Sequence, residues 1–407
     1  VSLPGIFSDH MVLQRDQQNP VWGKANPGKK VTVRIAGQSH SARADEDGKW
    51  RVKLDPMPAG GPHELRVKSG NTIRFKDVLV GEVWFCSGQS NMEWPINNSY
   101  NAEVEKASAN YPQIRLLTVQ KLGAQEPAED ITGQWEVCSP ETVGQFSAVG
   151  YLFGRRLHNA LNVPIGLVDN AWGGSAAEAW IPLEILQKDS RYDDLLQSWE
   201  EKAAANPPGT FEKAVAEFQE WQKNGKPDPQ RRWPRDILNG QHRPANIYNG
   251  MVAPTVGYGM RGIIWYQGET NAGRSYQYTH LFPLLIQTLR DRWQQGNFPF
   301  YWVQLADFTD EVDEPGDNGW AEMRQAQTMT MDALPNTGQA VIIDVGEGRY
   351  IHPRNKQTVA NRLARWALAK DYGHDIAYQS PRYKSMEIDG NKIRITLNHV
   401  SDGGLWS

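Results

Sequence analysis

Gly88-Gln89-Ser90-Asn91-Met92 follows a short apolar run, Val83-Trp84-Phe85-Cys86. Four apolar residues in succession read as a buried strand. A serine on a glycine-bearing turn at the end of such a strand projects its hydroxyl from the sheet edge. Backbone N–H groups of the same turn can hold an oxyanion, so the position suits a nucleophile. The plainer alternative is a strand-to-helix turn in which Ser90 is the helix cap.

Downstream of this stretch, strand and helix patterns alternate. Strands are expected at 83–86, 114–119, 163–169, 262–266, 300–305 and 340–344, and helices near 147–161, 276–294, 319–333 and 354–371. In the last helix Val359, Leu363 and Trp366 share one face, and Pro353 suits the first turn. The alternation predicts an α/β fold, a mostly parallel sheet with helices on both faces and a ligand site at the strands' carboxyl ends.

Upstream, residues 1–80 read as β. Val31–Ile35, Trp50–Leu54, Leu65–Val67 and Ile73–Phe75 alternate apolar with polar, and Asn26-Pro27-Gly28, Asp47-Gly48 and Ala59-Gly60-Gly61-Pro62 supply turns. A small β-sandwich fits this spacing. Residues 184–245 interrupt the α/β alternation with polar, helix-prone runs, a Pro/Arg-rich Lys226–Arg235 stretch, and Trp199, Trp221 and Trp233. They read either as a lid near the sheet's carboxyl edge or as a peripheral helical hairpin. After residue 376 strand character returns in Lys392–Leu397, and Gly403–Ser407 brings no closing element. A lone strand pair is marginal, so further chain or a second polypeptide would complete this unit.

The expected division is 1–80 as an N-terminal β-sandwich, 81–183 with 246–375 as the α/β domain, 184–245 as a helical insertion, and 376–407 as the start of a C-terminal β-unit. A chain of 407 residues is long enough for several domains.

The net charge of −4 offers no basic field for nucleic acid. No apolar run approaches the ~20 residues of a membrane span. The sequence opens at Val1 without a methionine, which suggests a removed leader and a secreted or periplasmic location. Cys86 and Cys138 read as two buried thiols, with a single pairing as the alternative. No Cys, His, Asp and Glu cluster has zinc-site spacing, so no metal is expected. The 16 tryptophans, against 11 Phe and 14 Tyr, suit sugar stacking, although most must serve the core.

Three further segments each follow an expected strand. Asn170-Ala171-Trp172-Gly173-Gly174-Ser175 carries paired glycines that let a backbone N–H approach a ligand. Trp265-Tyr266-Gln267-Gly268-Glu269-Thr270-Asn271 offers the Asn271 amide to an oxyanion, or merely a turn residue. His352-Pro353 places an imidazole before a helix, where it can serve as base for Ser90 or play a structural part.

Together the four segments resemble, in chain order, the four blocks of the SGNH hydrolase superfamily. The nearest resemblance is to carbohydrate O-acetylesterases of the sialate O-acetylesterase type. It rests on Gly81-Glu82-Val83-Trp84 through Gly88–Pro95, Trp172–Ser175 with Glu178-Ala179-Trp180, Tyr248–Met251, Trp265–Asn271 and Ile351–Gln357, with Phe7–Gln14 at the start. The resemblance implies a flavodoxin-like three-layer sandwich and a two-step ester hydrolysis without a cofactor. Ser90 would be nucleophile and His352 general base, then acid. The Ser90 N–H, a Gly174 N–H and the Asn271 side chain would form the oxyanion hole. Gln89, Gln267, Glu269, Trp265 and Arg349 would contact an acetylated carbohydrate. In one respect the sequence departs from the superfamily, whose last block places Asp three residues before the His: that position here is Arg349. Asp344, Glu347 or a backbone carbonyl are the candidates to orient His352, with the carbonyl preferred.

Trp94, Trp172, Trp265, Tyr266 and Tyr350 lie beside the blocks and suit a sugar, as Glu93, Gln267 and Arg349 suit its hydroxyls. An acidic sugar such as sialic acid would use Arg349. A neutral xylan or xyloglucan would use the aromatic platforms, and this is the reading preferred from sequence. Two other classes remain. One is a non-catalytic carbohydrate-binding protein. The other is a glycosidase with paired carboxylates among Glu93, Glu178 and Glu269.

Overall fold

One strand, Asn71–Gly88, ties the molecule together. From Val78 onward each of its residues is buried, whereas exposed and partly buried residues alternate before that. The change marks where the strand leaves a half-solvated β region and becomes the middle of a covered sheet. The computed structural model describes residues 1–225, 231–310, 313, 314 and 316–400.

The central sheet runs Thr337–Ala340, Phe300–Val303, Gly262–Tyr266, Asn71–Gly88, Ile165–Asp169, Tyr111–Thr118 and Trp135–Cys138. All neighbours are parallel except the last pair, which is antiparallel. Trp84 and Tyr301 point to one face, where they meet Phe153 and Trp366 of the helices Ala148–Leu161 and Lys356–Lys370. Phe85, Trp265 and Trp302 point to the other, against Trp293 and Phe282 of the helix Ser275–Trp293. Successive side chains on a strand alternate faces, so two helical layers enclose the sheet. The chain visits the strands on either side of Asn71–Gly88 in separate excursions. In such sheets ligands bind outside the carboxyl end of the strand at which the order reverses.

The N-terminal strands pair as their alternation requires. Gly60–Ser69 runs antiparallel to Asn71–Gly88, Lys30–Ile35 joins Gly60–Ser69 and Gln38–Arg43, and Asn19–Lys24 pairs with Lys49–Leu54. Val31, Val33, Ile35, Trp50, Val52 and Leu54 form the inward faces.

Three local expectations are corrected. The last parallel strand lies at Thr337–Ala340, not 340–344, and Ile343–Val345 is a 3-10 turn, so Asp344 does not end a strand. Val341 and Ile342 form the link between the strand and the turn instead. The edge strand Trp135–Cys138 was not expected, since four residues leave too short a pattern. The final helix starts at Lys356 with Asn355 as N-cap, which places Pro353 before it rather than in its first turn. The 184–245 segment holds the helices Asp193–Ala205 and Thr210–Lys223, with part of Lys226–Arg235 outside the described residues. The strand at Lys392 pairs as Lys392–Asn398 with Arg382–Asp389 in an exposed hairpin, and Gly403–Ser407 lies outside the described residues. Among the described residues no helix is long and apolar enough to cross a membrane. Both thiols, Cys86 and Cys138, are free and buried.

Candidate active site

Gly88 takes φ of +135°, and a Cβ there would lie 2.2 Å from the Tyr266 carbonyl oxygen. Only glycine allows the strand to turn this close to its neighbour. The Gln89 N–H then donates to that same carbonyl at 2.9 Å. Gln89 is the N-cap residue and Ser90 the first residue of the short Ser90–Glu93 helix, so Ser90 does not cap it. Its hydroxyl is free for another partner.

That partner is His352. The Ser90 Oγ and His352 Nε2 are 2.8 Å apart, joining positions 262 residues apart in sequence. Nε2 accepts the hydroxyl proton when the ring carries its own proton on Nδ1. The imidazole stacks on Trp94, with ring centroids 4.8 Å apart and planes 16° from parallel. Burial pushes its pKa below the usual 6.5, and the Lys356 charge pushes the same way. A neutral, proton-accepting ring at neutral pH is the result.

The glycine turn after Ile165–Asp169 lies against the nucleophile. The Trp172 N–H donates to the Gly88 carbonyl at 3.0 Å, and the Thr270 hydroxyl donates to the Gly174 carbonyl at 3.0 Å. A Cβ on Gly173 would stand 3.5 Å from the Ser90 Cβ. The Gly173 N–H is already committed to Glu93, which also pairs with Lys121. Among the described residues no acceptor takes the N–H of Gly174 or of Ser90. Gly174 has φ of +72°, a conformation that suits glycine. Both N–H groups are therefore available to an oxyanion, that of Ser90 because the first N–H groups of a helix have no partner within it.

The remaining expected residues fare differently. Asn271 is held in a buried network: its amide donates to Glu178 at 2.9 Å and its oxygen accepts from the Ala177 N–H and the Gln267 amide. Glu178 is held in turn by Arg274. The expected oxyanion donor thus already has partners. Gln267 is fully buried, donating to the Ser175 carbonyl and accepting from the Tyr278 hydroxyl, so it does not face a sugar. Trp265 is 0% exposed, packed on Trp180, Phe282 and Phe300, so it is a core residue and no platform. In both cases the strand end carries the side chain inward. The Gln89 oxygen accepts from the Gly268 and Thr270 N–H groups, and its NH₂ has no acceptor among the described residues. Glu269 accepts from Asn91 at 2.6 Å, and burial raises its pKa. Arg349 is exposed and forms an ion pair with Asp310.

None of the oxygens proposed from sequence reaches the His352 ring. Asp344 pairs with Arg362, and Glu347 with the backbone and side chain of Arg354. Among the described residues no carboxylate or carbonyl oxygen is hydrogen-bonded to Nδ1. The expected carbonyl contact is therefore absent as well, because the loop leaves that edge of the ring without a hydrogen-bond acceptor. Two residues that sequence reading passed over crowd the site instead. Asn91 and Lys356 are both buried and hydrogen-bonded to each other at 2.6 Å. A lysine on the same helix face as Val359 and Leu363 was the available signal.

Comparison with known proteins identifies the family. A family profile described as carbohydrate esterase, sialic acid-specific acetylesterase matches residues 80–219 and 214–364. Sialate O-acetylesterase of Mus musculus is 33% identical over 97% of this chain and 78% of its own length. The Homo sapiens enzyme of that name is 32% identical over 97% and 75%. The crystal structure of a carbohydrate acetylesterase from Xanthomonas citri matches with a TM-score of 0.81 at 35% identity, covering 98% of this chain and 81% of that one. The chain therefore belongs to the sialic acid-specific acetylesterase family of carbohydrate esterases, a family of carboxylic ester hydrolases.

Proposed function

We propose that this protein removes O-acetyl groups from a carbohydrate through an acetyl-enzyme on Ser90. The observation that carries the reading is the 2.8 Å contact between Ser90 Oγ and His352 Nε2 beside two N–H groups that no acceptor takes among the described residues. Ser90 attacks the acetyl carbonyl as His352 takes its proton. The Ser90 and Gly174 N–H groups hold the oxyanion, each worth about 3–4 kcal/mol of transition-state stabilisation in comparable sites. The imidazolium returns the proton to the departing sugar oxygen, leaving the acetyl group on Ser90. A water, deprotonated by the same nitrogen, then attacks the acetyl carbon, the bond to Ser90 Oγ breaks as the imidazolium returns the proton to that oxygen, and acetate leaves.

The preferred substrate is an O-acetylated sialic acid rather than xylan or xyloglucan. Support comes from the mouse and human relatives, both named sialate O-acetylesterases, and from the loss of Trp265 as a stacking platform. Arg349, exposed beside Tyr350, would exchange Asp310 for the sugar's carboxylate. The paired-carboxylate alternative is weakened, because Glu93, Glu178 and Glu269 each hold a structural partner. Acetate release from 9-O-acetylated sialic acid, acetylxylan and acetylated xyloglucan, measured with the native enzyme and with Ser90→Ala, tests both parts. Preference for the sialic acid, lost in Ser90→Ala, is expected. Equal release by the variant would refute the mechanism, and preference for a xylan would refute the substrate.

A further inference from the structure

Among the described residues no carboxylate holds the His352 imidazole in place, yet it sits within hydrogen-bond reach of Ser90. Asn91, the residue after the nucleophile, supplies a different tether. Its Nδ2 donates to the carbonyl of Ile351, the residue before His352, at 2.9 Å, and to Glu269 Oε1 at 2.6 Å. Its Oδ1 accepts from Lys356 Nζ at 2.6 Å. One amide thus joins the turn after Asn71–Gly88, the loop after Gly262–Tyr266 and the segment that carries His352.

Lys356 is fully buried, and Asn91 is the one hydrogen-bond acceptor of its ammonium among the described residues. Its ammonium otherwise faces aromatic rings, 5.3 Å from the Tyr266 centroid and 5.8 Å from that of Trp94, the ring on which His352 stacks. A buried ammonium with so few partners is costly, and an apolar side chain of the same length would pack there at no such cost. An ammonium can only donate, so Asn91 must turn its oxygen towards Lys356. That leaves the NH₂ facing Ile351 and Glu269.

We infer that Asn91 and Lys356 are positioning residues which together replace the acid of a Ser–His–Asp triad. Asn91 fastens the His352 backbone to the nucleophile's own helix, and Lys356 fixes the orientation of the Asn91 amide. The inference rests on the Ser90–His352 reading above. Lys356 also acts on the imidazole through its charge. The charged groups around it are Glu269, from the loop after Gly262–Tyr266, and Glu347, from the segment after Ile343–Val345; both favour its protonated form against burial. Burial nonetheless brings the Lys356 pKa down to about 7. The ammonium is therefore charged over the acid range in which His352 titrates, and there it holds the ring neutral to lower pH.

The test uses the full chain with 4-nitrophenyl acetate as substrate, comparing Lys356→Met, Asn91→Ala and, as control, Ser90→Ala. Lys356→Met is expected to keep or raise the melting temperature, lower kcat, and move the acid limb of kcat/KM to higher pH. Asn91→Ala is expected to lower kcat by on the order of 100-fold while KM changes by less than about threefold, as for a misplaced reacting group. A purely structural role would lower stability without moving the acid limb. Native kcat and an unmoved limb in both variants, with Ser90→Ala inactive, would overturn this inference and leave the esterase mechanism standing. If Lys356→Met does not fold, the kcat of Asn91→Ala decides the matter alone. Activity retained in Ser90→Ala would overturn the mechanism and the inference together.

Discussion

Ser90 follows a strand buried on both faces and paired on both edges, whereas His352 lies in a segment without a strand, between the Ile343–Val345 turn and the Lys356–Lys370 helix. The nucleophile's place is set by the backbone ladder and by Gly88 wedged against Tyr266. The base is placed by side chains: the Trp94 stack, the Asn91 tether, and the surface ion pairs Arg349–Asp310, Arg354–Glu347 and Arg362–Asp344. Exposed pairs contribute little to stability, so the two halves of the dyad differ in local rigidity although each depends on the other for chemistry.

The sharpest challenge to this contrast is functional. Ser90→Ala and His352→Ala should each lower kcat by on the order of 10⁴- to 10⁶-fold, and the double variant should be no worse than the weaker single. Effects that multiply instead would show that the two side chains do not act as a unit. Next comes a glycine on each side. Gly88→Ala places its methyl 2.2 Å from a backbone oxygen, while Gly348, with φ of +59°, has open space around it. Urea unfolding should show a loss of about 3 kcal/mol or more for Gly88→Ala, and only about 1–2 kcal/mol of left-handed strain for Gly348→Ala. Equal losses would erase the distinction between the two halves. The smallest effect is expected at Arg349, whose side chain is 81% exposed. Arg349→Ala should change stability by less than about 1 kcal/mol. The same variant should raise KM for acetylated sialic acid and leave that for 4-nitrophenyl acetate unchanged; a rise for both would deny Arg349 a part in recognising the carboxylate.

The same division governs what could be read from sequence. The strand before Ser90 was legible because Val83–Cys86 has no polar interruption, and the glycine turns were legible because their conformations restrict residue choice. Block order then pointed to His352. The orientation of side chains at the strand ends was not legible. Gln267 and Asn271 look like site residues, yet they point into a network with Glu178 and Tyr278 that only the folded chain assembles. Nor was the Asn91–Ile351 bond, which spans 260 positions and leaves no local pattern. The strand expected at 340–344 slipped because Val341 and Ile342 are apolar but form the link to the turn that Ile343 begins, and apolar character alone does not separate link, turn and strand.

The Asn71–Gly88 strand also limits how the molecule can be divided. A cut near residue 81 divides one continuous strand whose residues 71–80 pair with Gly60–Ser69 and whose residues 82–88 pair within the central sheet. The family profile itself begins at residue 80, within that strand. The hydrolase half expressed apart from the N-terminal strands would therefore begin at the strand beneath its nucleophile, with the buried Glu82 deprived of Gln14 and Arg15.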